Sequence, residues 1–167
     1  MKVINLFGGP CTGKSTVAAG LFFLMKTSNR KVELISEYAK QMVWEERTPI
    51  FKNQLYLLAK QNHRQDMLRG KVDYCITDSP LLLNLAYTPD TYYPSFKELV
   101  REVWHSYNNI NFLLNRKFKY ETVGRYQNET EANKVSEIIN GILTKNKIEY
   151  NSLDADEETH RRIFKLI

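Results

Sequence analysis

The chain has 167 residues, with 24 Lys or Arg against 19 Asp or Glu, a formal net charge of +5, 43% hydrophobic residues and 26% charged ones. That is the composition of one ordinary globular domain, and at this length folding buries roughly 70% of the unfolded surface, which suffices for one core but not for separate cofactor and catalytic domains. The longest uncharged apolar stretch, Val17 to Met25, is far below the ~20 residues of a membrane span. The start Met1-Lys2-Val3-Ile4-Asn5 lacks signal-peptide character. Two cysteines, Cys11 and Cys75, are too few for a disulfide scaffold or a zinc site, so a cytoplasmic protein is expected.

Short β-branched runs alternate with segments of helical period, which predicts an α/β domain with a five-stranded parallel sheet covered by helices on both faces. The first strand is expected over Lys2 to Phe7, ending in Gly8-Gly9-Pro10. A helix opened by Lys14-Ser15-Thr16 follows, apolar on most sides and ending near Ser28-Asn29. The second strand is Val32 to Ser36. A long amphipathic helix is predicted from Phe51 to Arg69, closed by Gly70. The third strand is Tyr74 to Thr77, and Pro94 suits the first turn of a helix carrying Phe96, Leu99, Val100, Val103 and Tyr107. A fourth strand at Ile110 to Leu114, a helix at about Glu129 to Asn146, a fifth strand at Ile148 to Leu153 and a last helix at Glu157 to Leu166 complete the chain. Two irregular excursions are expected, Thr88 to Tyr93 and Lys117 to Asn128. No repeat or flexible linker divides the 1–167 span, so it reads as a single domain with a lid at about 116–128.

The strongest chemical signal is Gly8-Gly9-Pro10-Cys11-Thr12-Gly13-Lys14-Ser15, followed by Thr16. It fits G-x-x-x-x-G-K-S/T in full, between a predicted strand and a predicted helix. Glycines let the backbone N–H groups turn round an anion, and the helix start adds the positive end of its dipole. In such a cradle Lys14 reaches the β- and γ-phosphates of ATP and the Ser15 hydroxyl ligates Mg²⁺. The alternative is a glycine-rich turn with a chance lysine.

Acids at two other strand ends add to this. Asp78, in Asp78-Ser79-Pro80, is placed as a second metal anchor or a base, because ligands gather beyond the carboxyl ends of parallel strands; it could equally be a turn former before Pro80. Glu37, in Ile35-Ser36-Glu37-Tyr38, could accept the proton of an attacking hydroxyl or hold that hydroxyl, with Tyr38 beside it. It could also merely favour a helix capped by Ser36. On the long helix Gln54 and Gln61 lie near one face with Arg64 a turn further on; they are candidates for an acceptor's polar edge, or else solvated helix surface. The basic and aromatic run Asn115-Arg116-Lys117-Phe118-Lys119-Tyr120, continued by Val123-Gly124-Arg125-Tyr126-Gln127, is either a solvated loop or a lid whose Arg116 and Arg125 stabilise charge on the transferred phosphoryl group.

With these features in this order, the chain resembles small P-loop kinases, above all the nicotinamide riboside kinase-like ATP-binding (AAA-type ATPase) family of bacterial regulators and phages, and more distantly the deoxynucleoside kinases. The resemblance implies a three-layer P-loop NTPase fold with sheet order 2-3-1-4-5, and ATP with Mg²⁺. It also implies transfer of the γ-phosphate to a hydroxyl or phosphate of a nucleoside, nucleotide or nicotinamide riboside-like acceptor. Asp78-Ser79-Pro80 departs from the acid-Arg-Ser run of deoxynucleoside kinases, which leaves the acceptor open. The expected partners are a nucleoside-like small molecule and ATP, with no membrane, and a homodimer is left open. Two alternatives stand beside this: a kinase acting on a hydroxymethylated base in DNA, which the +5 charge suits, and a nucleotide-binding regulatory ATPase. A GTPase would need Asn-Lys-x-Asp after a strand, and Asn146-Lys147-Ile148-Glu149 lacks the Asp.

Overall fold

The computed structural model describes residues 1–117, 119–121 and 128–167. Its elements are β1 (Lys2–Phe7), α1 (Lys14–Thr27), β2 (Val32–Ile35), α2 (Tyr38–Trp44), a 3₁₀ turn at Thr48–Lys52, α3 (Gln54–Asp66) and β3 (Tyr74–Thr77). A second 3₁₀ turn, Leu81–Leu83, runs into α4 (Asn84–Tyr87), followed by α5 (Phe96–His105), β4 (Asn108–Asn115), α6 (Glu129–Lys145), β5 (Asn151–Asp154) and α7 (Thr159–Leu166). The sheet order is β2-β3-β1-β4-β5 with every pairing parallel, as the resemblance implied.

Alternation along β1 builds the three layers. Val3 and Phe7 face one side and pack with Leu81, Val100, Trp104 and Ile139 of the helices there, whereas Ile4 and Leu6 face the other and meet Val17, Leu21 and Met25 of α1 and Ile163 of α7. Asn5, on the first face, is buried but satisfied: its Nδ2 donates to Asn109 Oδ1 at 2.8 Å and Asn111 Oδ1 at 3.0 Å across the sheet. Among the described residues no helix is long and apolar enough to cross a membrane.

Several boundaries differ from the sequence reading, and for the largest differences the reason is local. The strand expected from Ile148 starts only at Asn151. Lys147 adopts φ 52, its N–H donates to Thr144 O, and the N–H of Ile148 reaches back to Leu143 O at 3.0 Å. This is a left-handed helix stop, and the apolar Ile148 serves its hydrophobic contact instead of a strand. The long helix starts at Gln54, not Phe51, because the Asn53 side chain caps it by accepting from Tyr56 N at 3.0 Å. It ends at Asp66, ahead of Gly70 at φ +77. The last helix begins at Thr159, where the expectation was Glu157.

Candidate functional site

The glycine-rich segment joins β1 to α1 as predicted. Gly8 has φ 145, and a Cβ there would stand 2.6 Å from Thr12 Oγ1 and 2.9 Å from Leu114 O. At Gly9 a Cβ would run into Ser136 Oγ and come within 2.9 Å of Ala132 O, so the loop is pressed against α6. Gly13, at φ 81, is the N-cap of α1 and its carbonyl accepts from Val17 N at 2.9 Å. Cys11 is buried at φ 61; its thiol donates toward Lys119 O at 3.5 Å and accepts from Glu121 N at 3.4 Å. Thr12 Oγ1 donates to Gly9 O at 3.0 Å. The Lys14 ammonium curls back over the loop, 2.8 Å from both Gly8 O and Gly9 O. Thr16 is exposed on the first turn of α1.

Ser15 and Asp78 meet, as the strand-end argument required: Ser15 Oγ donates to Asp78 Oδ2 at 2.6 Å. Asp78 is only 4% exposed and its second oxygen is buried with no hydrogen-bond partner, a costly state for a carboxylate. A hydroxyl and a carboxylate with a spare buried lone pair suit a hard cation that takes oxygen ligands and draws the rest from phosphate and water. Among the described residues no group of three His, Cys, Asp or Glu gathers as a metal cage. The Ser15 hydroxyl and the Asp78 carboxylate are the oxygen donors that would fit Mg²⁺.

Beside the loop lies a cleft of about 230 Å³, which shares Pro10 and Lys14 with the cradle and continues past Glu37, Tyr38, Gln54 and Gln61 to Asn84 and Tyr87. Glu37 itself, not Ser36, is the N-cap of α2, with φ −59 and ψ 121, and it makes no side-chain cap bond. The Tyr87 ring is partly open to the cleft at 38% exposed. Burial about its hydroxyl and then the charge of Glu37 push that phenol above its usual range, so it remains a neutral donor. Gln54 is buried, its amide tied to Phe51 O at 2.8 Å; Asn84 is tied likewise to Leu81 O at 2.8 Å.

The remaining candidates are placed differently. Gln61 lines the cleft, yet its amide is engaged by the protein, accepting from Tyr38 N at 3.2 Å and donating to Thr77 Oγ1 at 3.5 Å. Arg64 does not line the cleft; it donates to Ser36 O and Gln41 Oε1 and stacks over the Tyr38 ring at 4.8 Å. Arg116 is anchored to α6, 2.6 Å from Asn133 Oδ1 and 3.1 Å from Glu129. Lys117 pairs with Asp154 at 3.2 Å. Arg125 and most of the predicted lid tip, residues 118 and 122–127, lie outside the described residues. Asn84, Tyr87, Lys40 and Val43 were missed. The one available signal was the position of 84–87 just beyond Asp78-Ser79-Pro80.

A family model described as an AAA domain matches residues 3–161. Solved structures of the deoxyadenosine kinase of M. mycoides share the fold. With the products dCMP and a flexible dCDP bound, that enzyme is 16% identical with a TM-score of 0.59, the match covering 99% of this chain and 96% of that one. With dCTP bound the figures are 18%, 0.59, 99% and 97%. No curated protein shows a significant match.

Proposed function

The chain belongs to the AAA-domain family matched over residues 3–161, and on that premise we propose that it is an ATP- and Mg²⁺-dependent kinase. Its acceptor is a hydroxyl or phosphate of a nucleoside, nucleotide or nicotinamide riboside-like molecule, and it works in the cytoplasm. One observation carries the reading: the phosphate cradle opens directly into a second compartment of about 230 Å³ that also holds a carboxylate, Glu37. A nucleotide-hydrolysing regulator has no use for such a room, whereas a phosphoryl acceptor needs one. Its lining of aromatic and aliphatic walls with a few polar side chains suits a small ligand. The deoxyadenosine kinase that shares the fold binds dCMP, dCDP and dCTP, which supports an acceptor of the nucleoside class.

In this reading the loop amides and Lys14 bind the phosphates of ATP, and Ser15 and Asp78 hold the metal. Mg²⁺, when bound, neutralises charge on the phosphate oxygens. Gln54 and Asn84 offer fixed amide edges to the acceptor, and Tyr38, Phe51 and Tyr87 supply flat walls. The acceptor oxygen forms a bond to the γ-phosphorus as the bond to the bridging oxygen of ADP breaks, and its proton passes to the Glu37 carboxylate. Arg116, which α6 anchors, is proposed to steady the charge of the transferred group, and the same role is proposed for Arg125.

Purified protein incubated with labelled ATP and pooled nucleosides, nucleotides and nicotinamide riboside is expected to yield a labelled product. Glu37→Gln is expected to lose about 10²–10⁴ of that rate while retaining ATP affinity. ATP consumption independent of every acceptor, equally fast in Glu37→Gln, would overturn the kinase reading in favour of a regulatory ATPase.

A further inference from the structure

We propose that Gln61 and Arg64 are positioning residues that hold Glu37 in register with Asp78. The proposal rests on the kinase reading only in taking Glu37 as the proton acceptor. Its starting point is the way α2 begins. A helix start leaves backbone N–H groups without partners, and a cap residue ordinarily supplies one from its own side chain. Here the N-cap is Glu37, and its side chain makes no such bond. The first N–H of α2, that of Tyr38, is instead satisfied by the buried amide of Gln61 on α3, at 3.2 Å. On the other side of Glu37, the carbonyl of Ser36 accepts from Arg64 Nη1 at 3.3 Å. Arg64 Nη2 reaches Gln41 one turn into α2 at 2.8 Å, and the guanidinium covers the Tyr38 ring. Two residues one turn apart on α3 thus grip the backbone immediately before and after Glu37, leaving the carboxylate little choice of origin.

The grip extends to the other acid. The Gln61 Nε2 group faces Thr77 Oγ1 at 3.5 Å, and that hydroxyl also accepts from Ser79 N at 3.1 Å, so it brackets Asp78. One planar amide therefore spans from the residue after Glu37 to the residue before Asp78. Only a side chain with an acceptor and a donor on one rigid group does this, which fits glutamine. Gln61 is 4% exposed and Thr77 fully buried, so water cannot cheaply replace either bond. Because a misplacement of about 1 Å at a reacting group costs on the order of 10²-fold in rate, this register bears directly on turnover. Gln61 lines the cleft, but its polar atoms are spent on the protein, and reading the acceptor falls to Gln54 and Asn84.

Gln61→Leu tests this, with Arg64→Lys as the second variant should Gln61→Leu fold poorly; the lysine keeps the charge but loses the fork. Amide hydrogen exchange reads the geometry without any turnover: the Tyr38 N–H is expected to exchange at least tenfold faster in Gln61→Leu, and the Ser36–Gln41 segment to loosen in Arg64→Lys. In transfer assays kcat is expected to fall about 10–100-fold, with acceptor KM and ATP affinity within threefold. In a Glu37→Gln background, followed by single turnover, Gln61→Leu is expected to cost less than a further threefold, because the residue acts through Glu37. Unchanged Tyr38 exchange, a raised acceptor KM with kcat preserved, or a full multiplicative loss in the Glu37→Gln background would each overturn the proposal. If the wild-type chain transfers phosphate to no acceptor while Tyr38 exchange responds as expected, the register stands and the kinase reading falls.

Discussion

Replacing Gly9 by alanine probes how tightly the phosphate loop is built into the fold. Gly9 lies outside the left-handed region, so the backbone tolerates a side chain and any penalty comes from space alone. The added methyl runs into Ser136 Oγ and stands 2.9 Å from Ala132 O. The hydroxyl cannot simply swing away, since it donates to Ala132 O at 3.0 Å, and the carbonyl is part of the α6 backbone. Retreat of residue 9 is no easier, because its own carbonyl accepts from Thr12 Oγ1 and from Lys14 Nζ. Overpacking of this kind costs about 1–3 kcal/mol, and at this chain length a Tm falls by about 2–4 °C per kcal/mol. Thermal melts of Gly9→Ala are therefore expected to shift down by roughly 2–12 °C, with weaker nucleotide binding by fluorescence titration. Ser136→Ala removes the hydroxyl but not the carbonyl. In that background the loss should shrink without vanishing, a coupling of about 0.5 kcal/mol or more. A wild-type melt for Gly9→Ala, or additive effects of the two substitutions, would refute the contact.

Further outcomes are expected elsewhere. Asp78→Asn and Ser15→Ala should each lower Mg²⁺-supported transfer by about 10²-fold or more with metal-free nucleotide affinity nearly kept; a variant whose activity and Mg²⁺ requirement match wild type would remove the pair as metal anchor. Asp156 accepts from Arg162, Glu158 N and Thr159, and the Arg162 bond is the chief cause that holds its carboxyl below the usual carboxylate range. A carboxyl depressed in the folded state contributes stability above its unfolded pKa of about 3.9 and loses it as pH falls through the folded value. Urea melts should thus find Asp156→Asn less stable than wild type near neutrality, the gap closing below about pH 4; a gap independent of pH would sink this account. Burial, with Glu33 adding a smaller effect, pushes the Cys75 thiol up to about 12, so at pH 8 it should resist iodoacetamide until the protein unfolds. Labelling of native Cys75 at the rate of a free thiol would contradict that burial.

The phosphate loop was legible in residue order because its requirements are local: glycines where the backbone turns or another chain presses close, a lysine and a serine at set distances, a strand before and a helix after. The layers were legible for the same kind of reason, since the apolar alternation of Lys2 to Phe7 and the helical spacing after Lys14 depend on neighbours in the chain. Local signals also misled. Ile148 has the character of a strand residue, but a left-handed Lys147 makes it the hydrophobic partner of a helix stop. Packing decided the rest. Gln54, Gln61 and Arg64 lie on one helix and each offers N–H donors, yet Gln54 and Gln61 line the cleft while Arg64 grips α2 from outside it. An amide or a guanidinium is indifferent to whether a substrate or a backbone group answers it. Only the close approach of α2 and β3 to α3, brought about by burial of a shared core, assigns those partners. Residue order therefore decided that a glycine-rich loop with its lysine and serine joins the first strand to the first helix, and tertiary contact decided which side chains frame the room beside it.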